Sequence, residues 1–233
     1  MGERYAQSLY VKICGLSDEA AVTAAVEAGA DAIGLVMVSS PRQVSPLQAA
    51  ALAAHGRGLA RRLGRPLDVV AVFRWADNDT IAEAVEGWWP DAVQVYPPNV
   101  ESAAHLRHRD PPGRVRRWLP AFRDGATLPT SEQLPGPRVI DGPTEGSGET
   151  GDWAAVESAA ASAPVILAGG LSPKNVASAI ERVRPYGVDV SSGVESSRGQ
   201  KSPQMIKAFI AAARAAARGH SFDPVSPDQT VHT

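Results

Sequence analysis

Eight short runs rich in β-branched and other apolar residues alternate along the chain with alanine-rich stretches of helical periodicity. Most of these runs are apolar throughout, which is typical of strands buried on both faces of a parallel sheet. Their alternation with helices is typical of consecutive βα units. The predicted strands are 9–14, 32–38, 67–73, 92–96, 115–121, 138–141, 164–168 and 187–190.

Helices are predicted to begin at capping residues or early prolines, near Ser17, Pro46, Asn78, Asn99, Asp152, Pro173 and Pro203. The fifth unit is weak, because 124–137 contains three prolines, so we expect its helix to be short or missing. The polar segment 219–233 has no apolar periodicity and is predicted to be a disordered tail. For the remaining residues, 1–218, the predicted fold class is α/β, a single (β/α)8 barrel of the TIM type.

A doubly wound open sheet is the alternative fold for this alternation of strands and helices. That fold needs a glycine-rich turn after the first strand, and the segment that follows Cys14 supplies only Gly15. The closed barrel is therefore favoured.

Composition limits the classes of function. The chain is 44% hydrophobic and 21% charged, and no apolar run approaches the roughly 18 residues that span a bilayer. The polar first ten residues carry no export signal, and the single cysteine suits a reducing compartment, so we expect a cytoplasmic protein without a membrane partner. A net charge of −2 gives no basic footprint for nucleic acid, and the five histidines show no metal-ligand spacing.

Polar residues close several of the predicted strands, at the end of a barrel where active sites lie. Cys14 ends the first strand, and it is either a small buried residue or a base whose thiol pKa is lowered by an electropositive setting. Asp141 ends the sixth strand, where an unpaired buried carboxylate would be costly, so a functional role is favoured over a capping role.

Glycine and serine cluster after the last two strands, at Gly169, Gly170, Ser191, Ser192 and Gly193. One glycine turn alone is equally consistent with a tight connection from strand to helix. Two such turns on adjacent strands predict a phosphate site, because glycine lets successive backbone N–H groups approach an anion.

Three further polar residues are candidates for substrate binding. Arg42 is either a solvated loop arginine or a guanidinium that captures a carboxylate at the barrel mouth. Gln94 lies within the fourth strand, and Asp189, within the eighth, either ties down neighbouring backbone amides or contacts the ligand.

These same stretches resemble the phosphoribosylanthranilate isomerase family of tryptophan biosynthesis, in unbroken order over about residues 10 to 215. The segments that carry the resemblance are Val11-Lys12-Ile13-Cys14-Gly15-Leu16, 28–34, Ser40-Pro41-Arg42, 70–73, 166–171 and Gly187-Val188-Asp189-Val190-Ser191-Ser192-Gly193-Val194-Glu195. The first and last of these are the specific ones.

The resemblance implies an Amadori rearrangement of N-(5-phosphoribosyl)anthranilate on a barrel, with a small-molecule substrate and no cofactor. It implies that Cys14 is the general base, Asp141 the general acid and Arg42 a contact for the anthranilate carboxylate. The seventh and eighth loops would hold the phosphate, and Gly146 and Gly148 in the sixth loop would also contact the substrate. The sequence leaves open whether the protein is a monomer or a homodimer.

The chain departs from the family pattern in two loops and in its shortened fifth unit. The family usually has His-Gly after the glutamine and aliphatic residue of the fourth strand, whereas this chain has Tyr96-Pro97, and Glu145 and Gly151 are unusual in the sixth loop. Two other functions stay open. One is the histidine-pathway isomerase of a phosphoribosyl-aminoimidazole carboxamide, although Cys14 stands where its first aspartate should be. The other is a catalytically silent phosphate-binding paralogue.

Overall fold

The computed structural model describes residues 9–108, 111–123, 128, 132–134, 136–141 and 153–218, and its central element is a closed barrel of eight parallel strands. Each strand pairs with the next, and β8 pairs with β1 with Lys12 opposite Asp189. The strands are β1 Tyr10–Cys14, β2 Ala32–Val36, β3 Asp68–Val72, β4 Ala92–Val95, β5 Arg117–Arg123, β6 Arg138–Asp141, β7 Val165–Leu167 and β8 Gly187–Val190. The closed barrel confirms the predicted fold class and excludes the open sheet.

All eight predicted strands are present, with differences at their ends. The predicted runs 32–38, 67–73, 92–96 and 164–168 extend beyond the ladder, because their apolar residues continue to pack after the backbone leaves the sheet. The fifth strand begins two residues later than predicted and ends at Arg123. Residues 115 and 116 belong to the approach to this strand.

Seven α-helices lie in the described residues: α1 Glu19–Ala28, α2 Pro46–Arg62, α3 Asn78–Val85, α4 Val100–His105, α5 Trp153–Ala160, α6 Val176–Val183 and α7 Pro203–Ala217. Most begin where a side chain caps the first turn; Ser45, for example, forms a capping box with Gln48 before α2. None of these helices is long and apolar enough to cross a membrane.

One predicted helix start was wrong by three residues. The helix after β7 begins at Val176 and not at Pro173, because Asn175 Oδ1 accepts the Ser172 backbone N–H at 2.7 Å and closes a separate turn there. The expected weak helix of the fifth unit falls largely on 124–127, 129–131 and 135, which lie outside the described residues. The predicted tail, 219–233, lies outside the described residues.

The core has two layers. Along each strand, side chains point alternately outward and inward. The outward ones, such as Val11, Ile13 and Val188, pack beneath the helices, and the inward ones pack against one another inside the barrel. At the N-terminal end of the barrel the rings of Tyr10 and Tyr186 stack, with centroids 5.9 Å apart. The barrel interior is thus filled up to the level of Cys14, and the opening lies at the C-terminal ends of the strands.

Candidate active site

A cavity of about 310 Å³ opens at the C-terminal ends of the strands, where a barrel of this type carries its active site. Nine of the residues singled out from the sequence line it: Cys14, Arg42, Gln94, Asp141, Gly169, Gly170, Asp189, Ser191 and Ser192. Gly193 is not among the lining residues, and Gly146 and Gly148 lie outside the described residues. The closure of the barrel therefore brings together side chains from β1, β4, β6 and β8 and from the loops between them.

Cys14 closes β1 and contributes its thiol to the cavity, with 7% of the residue exposed. Its neighbour in the sheet is Gly34 on β2, and a Cβ atom on that glycine would lie 2.8 Å from the Cys14 sulfur. The absence of a side chain at Gly34 therefore gives the thiol its place at the cavity wall.

The surroundings of Cys14 act on its pKa in opposite directions. Burial raises the pKa of the thiol, whereas the ammonium groups of Lys12 and Lys201 lower it, and the net direction is upward. The expectation of a lowered thiol pKa was wrong, because desolvation at this depth outweighs the two lysines. A raised pKa leaves less thiolate at neutral pH but makes that thiolate a stronger base.

Lys12 and Asp189 form a buried ion pair at the floor of the cavity. Lys12 Nζ lies 2.7 Å from Asp189 Oδ2, and the lysine side chain is fully buried. The remaining oxygen, Oδ1, is buried without a hydrogen-bond partner among the described residues. Asp189 thus pairs with Lys12, and it also lines the cavity.

Arg42 is held by a carboxylate of the protein itself. Its Nε and Nη2 donate to Oε1 and Oε2 of Glu195 at 2.6 and 3.0 Å, and the guanidinium side chain is 16% exposed. Lys201 donates to the same carboxylate at 2.8 Å. Burial raises the pKa of Glu195, but the two cations and the Gly199 backbone N–H hold it down to about 2. Arg42 is thus not a solvated loop arginine, and only the guanidinium edge that Glu195 leaves uncovered is available to a ligand.

Asp141, at the end of β6, is linked across the cavity to β4. The Tyr96 hydroxyl donates to Asp141 Oδ2 at 3.4 Å, and the side-chain amide of Gln94 donates to the Tyr96 oxygen at 3.2 Å. Gln94 Oε1 is buried without a partner among the described residues. The fourth strand therefore contributes two polar side chains to the neighbourhood of the carboxyl group.

The two glycine-containing loops approach each other closely. Gly169 and Gly170 both have positive φ, at 78° and 64°, and Asn175 Nδ2 donates to the carbonyl oxygen of Gly170 at 3.0 Å. A Cβ atom at Gly193 would overlap the carbonyl oxygen of Leu171, so the loop after β8 can approach the loop after β7 only with glycine there. Gly193 thus shapes the site from behind the cavity wall.

The site residues predicted from the sequence did not include several residues that line the cavity, among them Arg74, Tyr96 and Arg198. Arg74 directly follows the third predicted strand, so the rule that polar residues close the strands could have found it. Arg198 lies in the hairpin formed by β9 Glu195–Ser197 and β10 Gln200–Lys201, which no strand pattern indicated. Arg74 and Arg198 add two cationic side chains to the cavity lining, beside Arg42 and its partner Glu195.

The family model described as N-(5'-phosphoribosyl)anthranilate (PRA) isomerase matches residues 11–212. The chain is similar to the N-(5'-phosphoribosyl)anthranilate isomerase of Roseiflexus castenholzii, with 38% identity over 90% of this chain and 100% of the relative. It is similar to the solved structure of TrpF from Jonesia denitrificans, with a TM-score of 0.73, 32% identity and coverage of 91% and 100% of the two chains. A phosphoribosyl anthranilate isomerase structure in complex with reduced 1-(o-carboxyphenylamino)-1-deoxyribulose 5-phosphate has a TM-score of 0.66, 28% identity and coverage of 89% and 99%.

Proposed function

Because the chain belongs to the N-(5'-phosphoribosyl)anthranilate isomerase family, we propose that Cys14 is the general base and Asp141 the general acid of its reaction. The chain is an aldose–ketose isomerase of L-tryptophan biosynthesis. It converts N-(5-phosphoribosyl)anthranilate to 1-(2-carboxyphenylamino)-1-deoxyribulose 5-phosphate by an Amadori rearrangement.

The observation that carries the residue assignment is the shared cavity of Cys14 and Asp141, which reach it from β1 and β6. Asp141 protonates the ribose ring oxygen, and the ring opens to a Schiff base between C1 and the anthranilate nitrogen. Cys14 then removes the proton at C2, and the resulting enol tautomerises to the ketone. These steps need one acid and one base, so we propose that no cofactor takes part.

The charges around the cavity fit a substrate with a phosphate at one end and a carboxylate at the other. The phosphate is proposed to lie between the loops at Gly169-Gly170 and Ser191-Ser192, where the two loops meet. The anthranilate carboxylate is proposed to contact the open edge of Arg42, with Gln94 on the same side. Asp189, whose Oδ1 has no hydrogen-bond partner among the described residues, is proposed to accept a ribose hydroxyl.

We further propose that the protein acts in the cytoplasm, as a monomer or homodimer, without a nucleic-acid partner. Support comes from the lone cysteine, whose reduced thiol the mechanism requires, and from the near-neutral net charge.

The test is loss of the substrate's anthranilate fluorescence with purified protein and with the variants Cys14→Ala and Asp141→Asn. General acid or base catalysis contributes about 10² to 10⁴ in rate, so each variant is expected to lose turnover by that order. Both should still bind the reduced product analogue, because neither change touches the phosphate loops. Wild-type turnover in a folded Cys14→Ala protein would show that Cys14 is not the general base. Turnover of the histidine-pathway substrate alone would show that the proposed substrate is wrong.

A further inference from the structure

The second residue after Gln94, where the family usually has histidine, is Tyr96, and its hydroxyl group reaches the proposed general acid. The Tyr96 oxygen lies 3.4 Å from Asp141 Oδ2, although β4 and β6 are separated by β5 in the barrel. The Tyr96 side chain therefore reaches past the intervening strand, β5, to make this contact.

The direction of hydrogen bonding is set by Gln94. Its side-chain NH2 group can only donate, and it donates to the Tyr96 oxygen at 3.2 Å. That oxygen is thereby an acceptor toward β4, and its own hydrogen is directed to Asp141 Oδ2. Gln94 is 1% exposed, so the origin of this chain of hydrogen bonds is fixed in the barrel interior.

The following residue, Pro97, restrains the backbone of Tyr96. A proline disfavours the helical region for the residue before it and keeps that residue extended. Tyr96 comes directly after Val95, the last residue of β4, and lines the cavity. The Tyr96-Pro97 pair that departs from the family pattern thus forms a stiff support for the hydroxyl group.

From this geometry, and on the basis of the general-acid role proposed above, we propose that Tyr96 is the positioning residue for the Asp141 carboxyl group. A hydrogen bond at Oδ2 fixes the rotation of the carboxyl group and so determines the direction of Oδ1. When the proton leaves Asp141, negative charge develops on the carboxylate, and an O–H donor binds a charged acceptor about twice as strongly as a neutral one. The contact therefore becomes stronger along the proton transfer, which lowers the barrier for that step without tightening substrate binding.

The test compares Tyr96→Phe, Asp141→Asn and the double variant in a mutant cycle, with single-turnover fluorescence measurements at excess enzyme. Tyr96→Phe removes only the hydroxyl oxygen, and we expect kcat to fall about 5-fold to 10-fold, because only the part of the hydrogen bond that strengthens as charge develops lowers the barrier. KM and the affinity for the reduced product analogue should change by less than about threefold. In the Asp141→Asn background the same change should have almost no further effect, because no carboxylate charge develops there.

Tyr186→Phe is the matched control, since Tyr186 stacks on Tyr10 at the opposite end of the barrel and should leave kcat unchanged. If Tyr96→Phe lowers kcat by the same factor with aspartate or asparagine at 141, Tyr96 acts elsewhere and the proposal is wrong. The proposal is also wrong if Tyr96→Phe keeps wild-type kcat, or if it raises KM and leaves kcat intact. An Asp141→Asn enzyme with wild-type kcat would instead remove the general-acid assignment itself, a result that the single variant reports separately.

Discussion

Arg42 and Glu195 are 153 residues apart in the chain and form a two-point ion pair, with Nε to Oε1 at 2.6 Å and Nη2 to Oε2 at 3.0 Å. The pair joins the loop after β2 to the hairpin after β8. Lys201 extends it by donating to Glu195 and to the backbone oxygen of Ser191, both at 2.8 Å. One carboxylate therefore orients the arginine proposed for the substrate carboxylate and, through Lys201, anchors the loop proposed for the phosphate.

Glu195→Gln should weaken substrate binding more than it lowers kcat. The change keeps the shape of the side chain but leaves the cations of Arg42 and Lys201 without a charged partner in a buried site. We expect KM to rise and the free energy of unfolding to fall by about 1–3 kcal/mol. Steady-state kinetics and urea unfolding measure both effects, and a variant with unchanged KM would show that Glu195 does not position Arg42.

The stability difference between wild type and Glu195→Gln should depend on pH. The folded protein holds the pKa of Glu195 at about 2, below the ordinary value of 4.5. A lowered pKa in the folded state means that the ionised carboxylate stabilises the protein above about pH 4.5 and that this stabilisation is lost as pH falls toward 2. Urea unfolding of both proteins should give a constant difference above pH 4.5 that narrows below it. A constant difference down to pH 2 would contradict the prediction.

The alkylation of Cys14 by iodoacetamide should report its raised pKa directly, because the chain has no other cysteine. Only the thiolate reacts, so the rate should increase with pH and reach its midpoint above the ordinary thiol value. Inorganic phosphate or the reduced product analogue should protect the thiol, and Cys14→Ala serves as the unlabelled control. A midpoint below the ordinary thiol value would show that Lys12 and Lys201 outweigh burial.

Gly34→Ala should damage catalysis through the position of Cys14. The added Cβ would lie 2.8 Å from the Cys14 sulfur and 3.1 Å from its Cα, so the thiol must move. We expect kcat to fall by at least about 10-fold, since misplaced catalytic groups lose rate steeply, with an overpacking cost of about 1–3 kcal/mol. Gly58→Ala on α2 is the matched control, because its Cβ would make only an ordinary van der Waals contact and alanine favours the helix. Unchanged kcat in Gly34→Ala would argue against Cys14 as the base.

Gly193→Ala should raise KM by separating the two proposed phosphate loops. Its Cβ would overlap the carbonyl oxygen of Leu171, which belongs to the backbone after β7 and cannot rotate away. The loop after β8 must therefore withdraw, and the backbone N–H groups around the anion move apart. Titration with inorganic phosphate, with Gly58→Ala as the control, measures the loss. Wild-type phosphate affinity in a folded Gly193→Ala protein would place the anion elsewhere.

Several features of the fold and the site could be predicted because they depend on local patterns. The apolar runs identified every strand of the barrel, and the rule that barrel sites lie at the carboxyl ends of strands selected Cys14 and Asp141 as candidates. The starts of the helices were predicted less accurately, because a side chain such as Asn175 can close a separate turn before the helix begins.

The sequence by itself determined the barrel, the cavity end of each strand and the residue types available there, because strand periodicity and βα alternation are set by near neighbours. The closed structure decided the partners: Asp189 meets Lys12, Glu195 holds Arg42, and Tyr96 reaches Asp141. Those contacts join residues that are far apart in the chain, and no local pattern encodes their distances. The tertiary structure also decided that the pKa of Cys14 is raised. Desolvation depends on how completely the folded barrel surrounds the thiol and not on which residues precede or follow it.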